Sequence, residues 1–119
     1  MATQILLVDD NDLLAEAMTH YLTAVGYEVH REPDGHQALA HLMTSAAALG
    51  VLDLRLPGMD GITLCTEVRK RSAIPILLMT GADCEEVRQR ASAAGAADTL
   101  QKPVAFKELA QAITHLLQK

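Results

Sequence analysis

Three acids, a hydroxyl and an ammonium occupy positions in this chain where chemistry is plausible. The stretch "ILLVDDND" (5–12) runs an apolar segment straight into Asp9 and Asp10. Asp53 stands near the end of "ALGVLDL", Thr80 closes "IPILLMT", and Lys102 follows "DTLQ". Two carboxylates about 4 Å apart repel by roughly 4 kcal/mol at an effective dielectric near 20. One explanation for Asp9 and Asp10 is a strand ending in a polar turn that caps the next helix. The other is a bound cation. Oxygen-only ligation by carboxylates suits a hard divalent ion such as Mg²⁺. Asp53 is then the candidate nucleophile, because a carboxylate attacking a phosphoryl group forms an acyl phosphate. Lys102 and the Thr80 hydroxyl supply neutralisation of the phosphoryl oxygens. No His, Glu or Ser stands nearby in sequence as a general base, so the expected reaction is transfer onto the protein itself.

Strands and helices must deliver these residues to one place. "QILLV" (4–8) reads as a buried strand, "YEVHRE" (27–32) as a strand nearer an edge, and "PDG" (33–35) as a turn. "ALGVLDL" (48–54), "IPILLMT" (74–80) and "DTLQ" (98–101) complete five strands. Between them, Leu14, Met18, Tyr21, Leu22 and Val25 follow helical spacing, with Gly26 as the stop. Ala38, Leu39 and Leu42 mark a second helix, and Leu64 with Val68 a third after the "PGMDG" (57–61) loop. Asp83 and Glu86 form a capping box for a fourth helix that ends at Gly95. Phe106, Leu109, Ala110, Ile113, Leu116 and Leu117 define an amphipathic fifth. Strands alternating with helices imply a parallel sheet covered on both faces. Sites in such sheets form beyond the carboxyl ends of the strands. Those ends are where the acids, Thr80 and Lys102 fall.

Length and composition bound the remaining options. The chain has 119 residues, half of them apolar, which suits one domain over 1–119 with a single sizeable core. A net charge of −5 argues against direct nucleic-acid or anionic-membrane binding by this segment. No apolar run reaches the ~18 residues of a membrane span. The start "MATQILL" lacks a secretory signal, and Cys65 and Cys84 have no close-spaced partner, so a cytoplasmic location with reduced thiols is expected. His20, His30, His36, His41 and His115 are scattered without ligand spacing and read as surface or half-buried residues.

Four segments occur in order on the expected elements: "LLVDDN", "LDLRLPGMDG", "PILLMTGA" and "AADTLQKP". Through them, from residue 4 to about 117, the chain resembles the receiver domains of bacterial two-component response regulators. The resemblance implies an α/β, flavodoxin-like, doubly wound five-stranded parallel sheet in the order 2-1-3-4-5, with five helices in three α/β/α layers. It implies that Asp53 accepts phosphate from a phosphohistidine on a sensor histidine kinase or a histidine phosphotransfer protein. Asp10 and Asp53 would ligate Mg²⁺ (or Mn²⁺) directly, Asp9 mainly through water, and the Arg55 backbone carbonyl would add a ligand. Thr80, Gly81 and Lys102 would bind the phosphate, with a cis bond from Lys102 to Pro103. Movement of Thr80 would shift the surface made by helix four, strand five and helix five, and so control a downstream effector or output domain. Such a domain is not an enzyme in the usual sense, since it catalyses only its own phosphorylation and dephosphorylation.

The chain departs from the family pattern at three positions. Thr99 replaces the usual Tyr or Phe, and Ala82 and Arg55 occupy positions that tune phosphate lifetime in the family. Two rival readings follow. A docking module that is never phosphorylated suits Thr99 but not the intact Asp9, Asp10, Asp53, Thr80 and Lys102. An Mg²⁺-dependent phosphatase with an aspartyl nucleophile would want an acid two residues past Asp53, where this chain has Arg55.

Overall fold

The computed structural model describes residues 2–81 and 84–118. Five strands, β1 (Gln4–Val8), β2 (Glu28–Glu32), β3 (Leu49–Asp53), β4 (Ile76–Thr80) and β5 (Asp98–Gln101), form one sheet. All neighbours are parallel, in the order β2-β1-β3-β4-β5. Parallel neighbours need long crossovers. Helices α1 (Asp12–Ala24), α2 (Gly35–Leu42), α3 (Gly61–Arg69) and α4 (Glu85–Ala93) supply them, and α5 (Phe106–Leu117) follows β5.

Successive strand side chains point to opposite faces, so one strand feeds two cores. Ile5, Leu7, Val51, Leu77 and Met79 pack with Met18 and Leu22 of α1 and Leu109 and Ile113 of α5. Leu6, Val8, Leu52 and Leu78 pack on the other face with Ala38 of α2 and Leu64 and Val68 of α3. This two-sided burial explains why β1, β3 and β4 are continuous apolar runs. The edge strands β2 and β5 are mixed in composition and only partly buried.

Helix boundaries follow the capping residues. Asn11 Oδ1 accepts the Leu14 N–H at 3.1 Å, Asp34 Oδ1 that of Gln37 at 2.8 Å, and Asp60 Oδ1 that of Thr63 at 2.7 Å. Gly35 and Gly61 are therefore first residues of helices, not closing residues of turns, because the preceding aspartate takes up the free N–H groups. The α1 stop at Gly26 and the α4 stop at Gly95 both use a left-handed glycine, with φ +107° and +101°. At the start of α4, Cys84 is the N-cap and makes no side-chain cap bond. Asp83, expected to open a capping box with Glu86, lies outside the described residues, as does Ala82.

Gly61 ties α3 to the functional edge of the sheet. Its N–H donates to the Leu54 carbonyl at 2.8 Å. A Cβ there would stand 2.3 Å from the Asp53 carbonyl oxygen and 2.8 Å from Leu54 Cα. Both obstacles are backbone, so neither can swing aside. Gly61→Ala is expected to cost roughly 1–3 kcal/mol, the usual scale of overpacking. A urea melt of the variant showing an unchanged midpoint would contradict this close approach.

Candidate functional site

The sheet order reverses between β1 and β3, which opens a crevice beyond their carboxyl ends. Asp9 follows β1 and is 0 % exposed; Asp53 ends β3 at 5 %, and Thr80 ends β4 at 1 %. These are the buried polar residues among the described part of the chain. Asp10 and Gly81 are exposed at the rim. Carboxylate oxygens of Asp9, Asp10 and Asp53 lie within 4.8 Å of one another. Lys102 reaches in from the end of β5, with Nζ 2.9 Å from Asp53 Oδ2 and 3.8 Å from Asp9 Oδ2. Its N–H donates to the Thr80 carbonyl at 2.7 Å, and its peptide bond to Pro103 is cis.

The remaining contacts fix the acids. Asp9 Oδ1 accepts the Asn11 N–H at 2.9 Å, and Asp53 Oδ1 accepts the Arg55 N–H at 3.4 Å. The Asp9 main chain is held from β2. Its N–H donates to Glu32 O at 3.2 Å, while its carbonyl accepts Arg31 Nε at 3.0 Å and Nη2 at 2.7 Å. Asp9 Oδ2 is buried with no hydrogen bond, the Lys102 contact being too long for one. Burial pushes the Asp9 carboxyl above the usual carboxylate range; the Asn11 N–H and Lys102 oppose this, and Asp53 and Asp10 add to it. An all-oxygen, like-charged donor set with one buried oxygen unsatisfied fits a hard divalent cation. Beside it runs a cleft lined by Asp10, Leu54, Arg55, Asp60 and Arg90, which brings two guanidinium groups to the rim.

A doubly wound α/β/α domain with acids and a lysine gathered at its switch point has the architecture of a flavodoxin-like signalling domain. Residues 5–114 match the family model of the response regulator receiver domain, and the chain belongs to that family. It is 35% identical over 117 residues to the sensory transduction protein RegX3 of Mycolicibacterium smegmatis, covering 98% of this chain and 51% of that protein. It is 33% identical over 119 residues to the transcriptional regulatory protein SrrA of Staphylococcus aureus, covering 100% and 49%. The chain thus spans about half the length of the curated relatives it matches. Among solved structures, a putative response regulator from Chloroflexus aurantiacus superposes with a TM-score of 0.94 at 34% identity, covering 100% of both chains. The chemotaxis response regulator CheY4 of Vibrio cholerae superposes with a TM-score of 0.92 at 29% identity, covering 98% of this chain and 99% of that one.

Asp9, Asp10, Asp53, Thr80 and Lys102 come together from four strand ends. Thr99 lies on β5, half-buried and in register with Leu78 of β4. Cys65 is buried, with Sγ donating to the Ala94 carbonyl at 3.4 Å, and burial pushes its thiol up; Cys84 is exposed. One grouping is not visible in the spacing of the histidines. His30 and His41 stack with ring centroids 3.5 Å apart, beside Glu32. The available signal was the alternation of His30 and Glu32 on one face of a strand, facing a helix that carries His41.

The Asp9 shift has a definite sign. A carboxyl that holds its proton more tightly when folded costs stability as pH rises above the ordinary aspartate value. Asp9→Asn keeps the acceptor for Asn11 and removes the buried charge. In EDTA at pH 7 the variant is expected to have a higher urea midpoint than the parent, with the gap closing as pH falls below about 4. A less stable variant at pH 7 would contradict the reading of Asp9 as a buried charge that Lys102 only partly offsets.

Proposed function

We propose that this domain is the phosphoacceptor of a two-component or phosphorelay system. In this reading Asp53 receives a phosphoryl group from a phosphohistidine on a sensor histidine kinase or histidine phosphotransfer protein. The observation that carries it is the 2.9 Å contact between Lys102 Nζ and Asp53 Oδ2 at the end of the central strand. An Asp53 oxygen attacks phosphorus and forms the new P–O bond. The P–N bond to the donor imidazole breaks, and that nitrogen keeps the electron pair. Little other covalent chemistry is required, so positioning and charge neutralisation carry the rate.

Asp10, Asp53 and the Arg55 carbonyl are the direct ligands proposed for Mg²⁺ (or Mn²⁺), with Asp9 acting mainly through water. When bound, the ion neutralises charge on the transferring group. Asp9 orients that shell, since its main chain is clamped by Arg31 and Glu32. Lys102 shifts its ammonium from the Asp53 carboxylate to the phosphoryl group, and Thr80 and Gly81 bind the remaining oxygens.

Two such contacts can move the domain. Hydrogen bonds to charged groups contribute about 1.5–3 kcal/mol each. Those from Thr80 and Lys102 together supply roughly 3–6 kcal/mol. Carrying a two-state equilibrium from 1:99 to 99:1 takes roughly 5.5 kcal/mol. The proposed output is a shift of the α4–β5–α5 surface toward a downstream effector or output domain, in a cytoplasmic protein. No helix among the described residues is long and apolar enough to cross a membrane.

Acetyl phosphate with Mg²⁺ is expected to add one phosphoryl mass that is lost in Asp53→Asn; undiminished labelling of that variant would sink the assignment. With beryllofluoride as the phosphoryl mimic, amide shifts along α4 and β5 should be suppressed by Thr80→Ala and largely kept by Thr99→Ala. The reverse pattern would mean that the coupling runs through β5 and not through Thr80.

A further inference from the structure

Outside the acidic crevice, a second cluster of metal-type ligands stands where β2 meets α2. His30 and Glu32 are two residues apart on β2 and share one face of the sheet. His41, in the last turn of α2, lies over them. A nitrogen of each ring and a Glu32 carboxylate oxygen all lie within 4.8 Å of one another. His30 Nε2 is 2.5 Å from Glu32 Oε2, and His41 Nε2 has only a long 3.4 Å contact, to Gln4 Oε1. All three residues are half-buried, so water and ions can reach them.

We propose that His30, Glu32 and His41 form a metal site for a borderline divalent ion of the zinc class, separate from the acidic crevice. The donor types separate the two sites. Imidazole nitrogens favour zinc-like ions, whereas the all-carboxylate cluster favours Mg²⁺. Two imidazoles and one carboxylate are a recurrent zinc set, with the fourth position left to water. Gln4 Oε1 stands 3.4 Å from His41 Nε2. Ligation requires modest movement. With Zn–N and Zn–O bonds of about 2.0–2.1 Å, tetrahedral ligand atoms stand about 3.3 Å apart. The His30–Glu32 pair therefore opens by less than about 1 Å. The two rings also turn out of their parallel stack so that both lone pairs meet the ion, a rotation about the soft χ2 torsion. Burial, and then the neighbouring His30, push the His41 pKa down, against a smaller opposing pull from Glu32. A bound ion would join the edge strand to the helix that covers it.

The test is Co²⁺ titration of the whole chain with excess Mg²⁺ present to fill the acidic crevice, followed by visible absorption. One equivalent should bind with a tetrahedral d–d spectrum. His30→Ala and His41→Ala should each weaken it by roughly tenfold or more, while the Mg²⁺ response is unchanged. Failure to bind, or equal binding by both variants, would overturn the proposal. If either variant does not fold, the parent protein decides by its histidine ¹⁵N resonances. Zn²⁺ should shift the ring-nitrogen signals of His30 and His41 and leave His20 and His115 in place. Unmoved His30 and His41 signals would mean that the stack binds only protons.

Discussion

The functional edge depends on holding carboxylates side by side out of water with a single ammonium between them. Asp9 and Asp53 are both buried, and Lys102 lies 3.8 Å from one and 2.9 Å from the other. Charges in such a place cost several kcal/mol each unless they are paired and hydrogen-bonded. Lys102 satisfies Asp53 and falls short of Asp9, whose Oδ2 is left without a hydrogen bond. The cluster is therefore poised for added positive charge. Strand composition follows from the same constraint. β1, β3 and β4, buried on both faces, are apolar apart from the end residues Gln4, Asp53 and Thr80.

A second layer makes the arrangement rigid. Arg31 forks onto the Asp9 carbonyl and also pairs with Asp12 Oδ1 at 2.8 Å. Asp12 is highly exposed, so that ion pair contributes little. The carbonyl contacts matter more, because they fix the backbone that aims Asp9. Glu32 holds the Asp9 N–H on the other side while its carboxylate faces His30 and His41. The edge strand thus serves the acidic crevice through the Arg31 guanidinium and the Glu32 main chain, and a different cluster through the side chains of His30 and Glu32. Beside the central strand, Gly61 lets α3 begin against the Asp53 carbonyl, and no other residue fits that gap without moving backbone.

Much of this was legible in the sequence, for reasons that differ between elements. Apolar runs closed by a polar residue gave β1, β3 and β4 and the positions of Asp9, Asp53 and Thr80, since burial on both faces leaves little choice of residue. The last helix was equally clear because α5 has one strongly apolar stripe. Boundaries were less so at Gly35 and Gly61, where a capping aspartate draws a loop-like glycine into the helix. Helix α4 buries only Ala91 among its described residues, so neither periodicity nor a side-chain cap fixes its start. The meeting of His30 with His41 depends on how α2 lies across the edge strand, which no local pattern encodes.

On the proposed reading, the acid cluster destabilises the fold until a divalent cation relieves it. Its most direct measure is the urea midpoint of the parent chain as Mg²⁺ is titrated against EDTA. The midpoint should climb with the logarithm of Mg²⁺ concentration, reaching about 2.7 kcal/mol of stabilisation at 100 times the dissociation constant. In Asp10→Ala the climb should vanish. A midpoint that ignores Mg²⁺ in the parent chain, or that rises equally in Asp10→Ala, would contradict the claim.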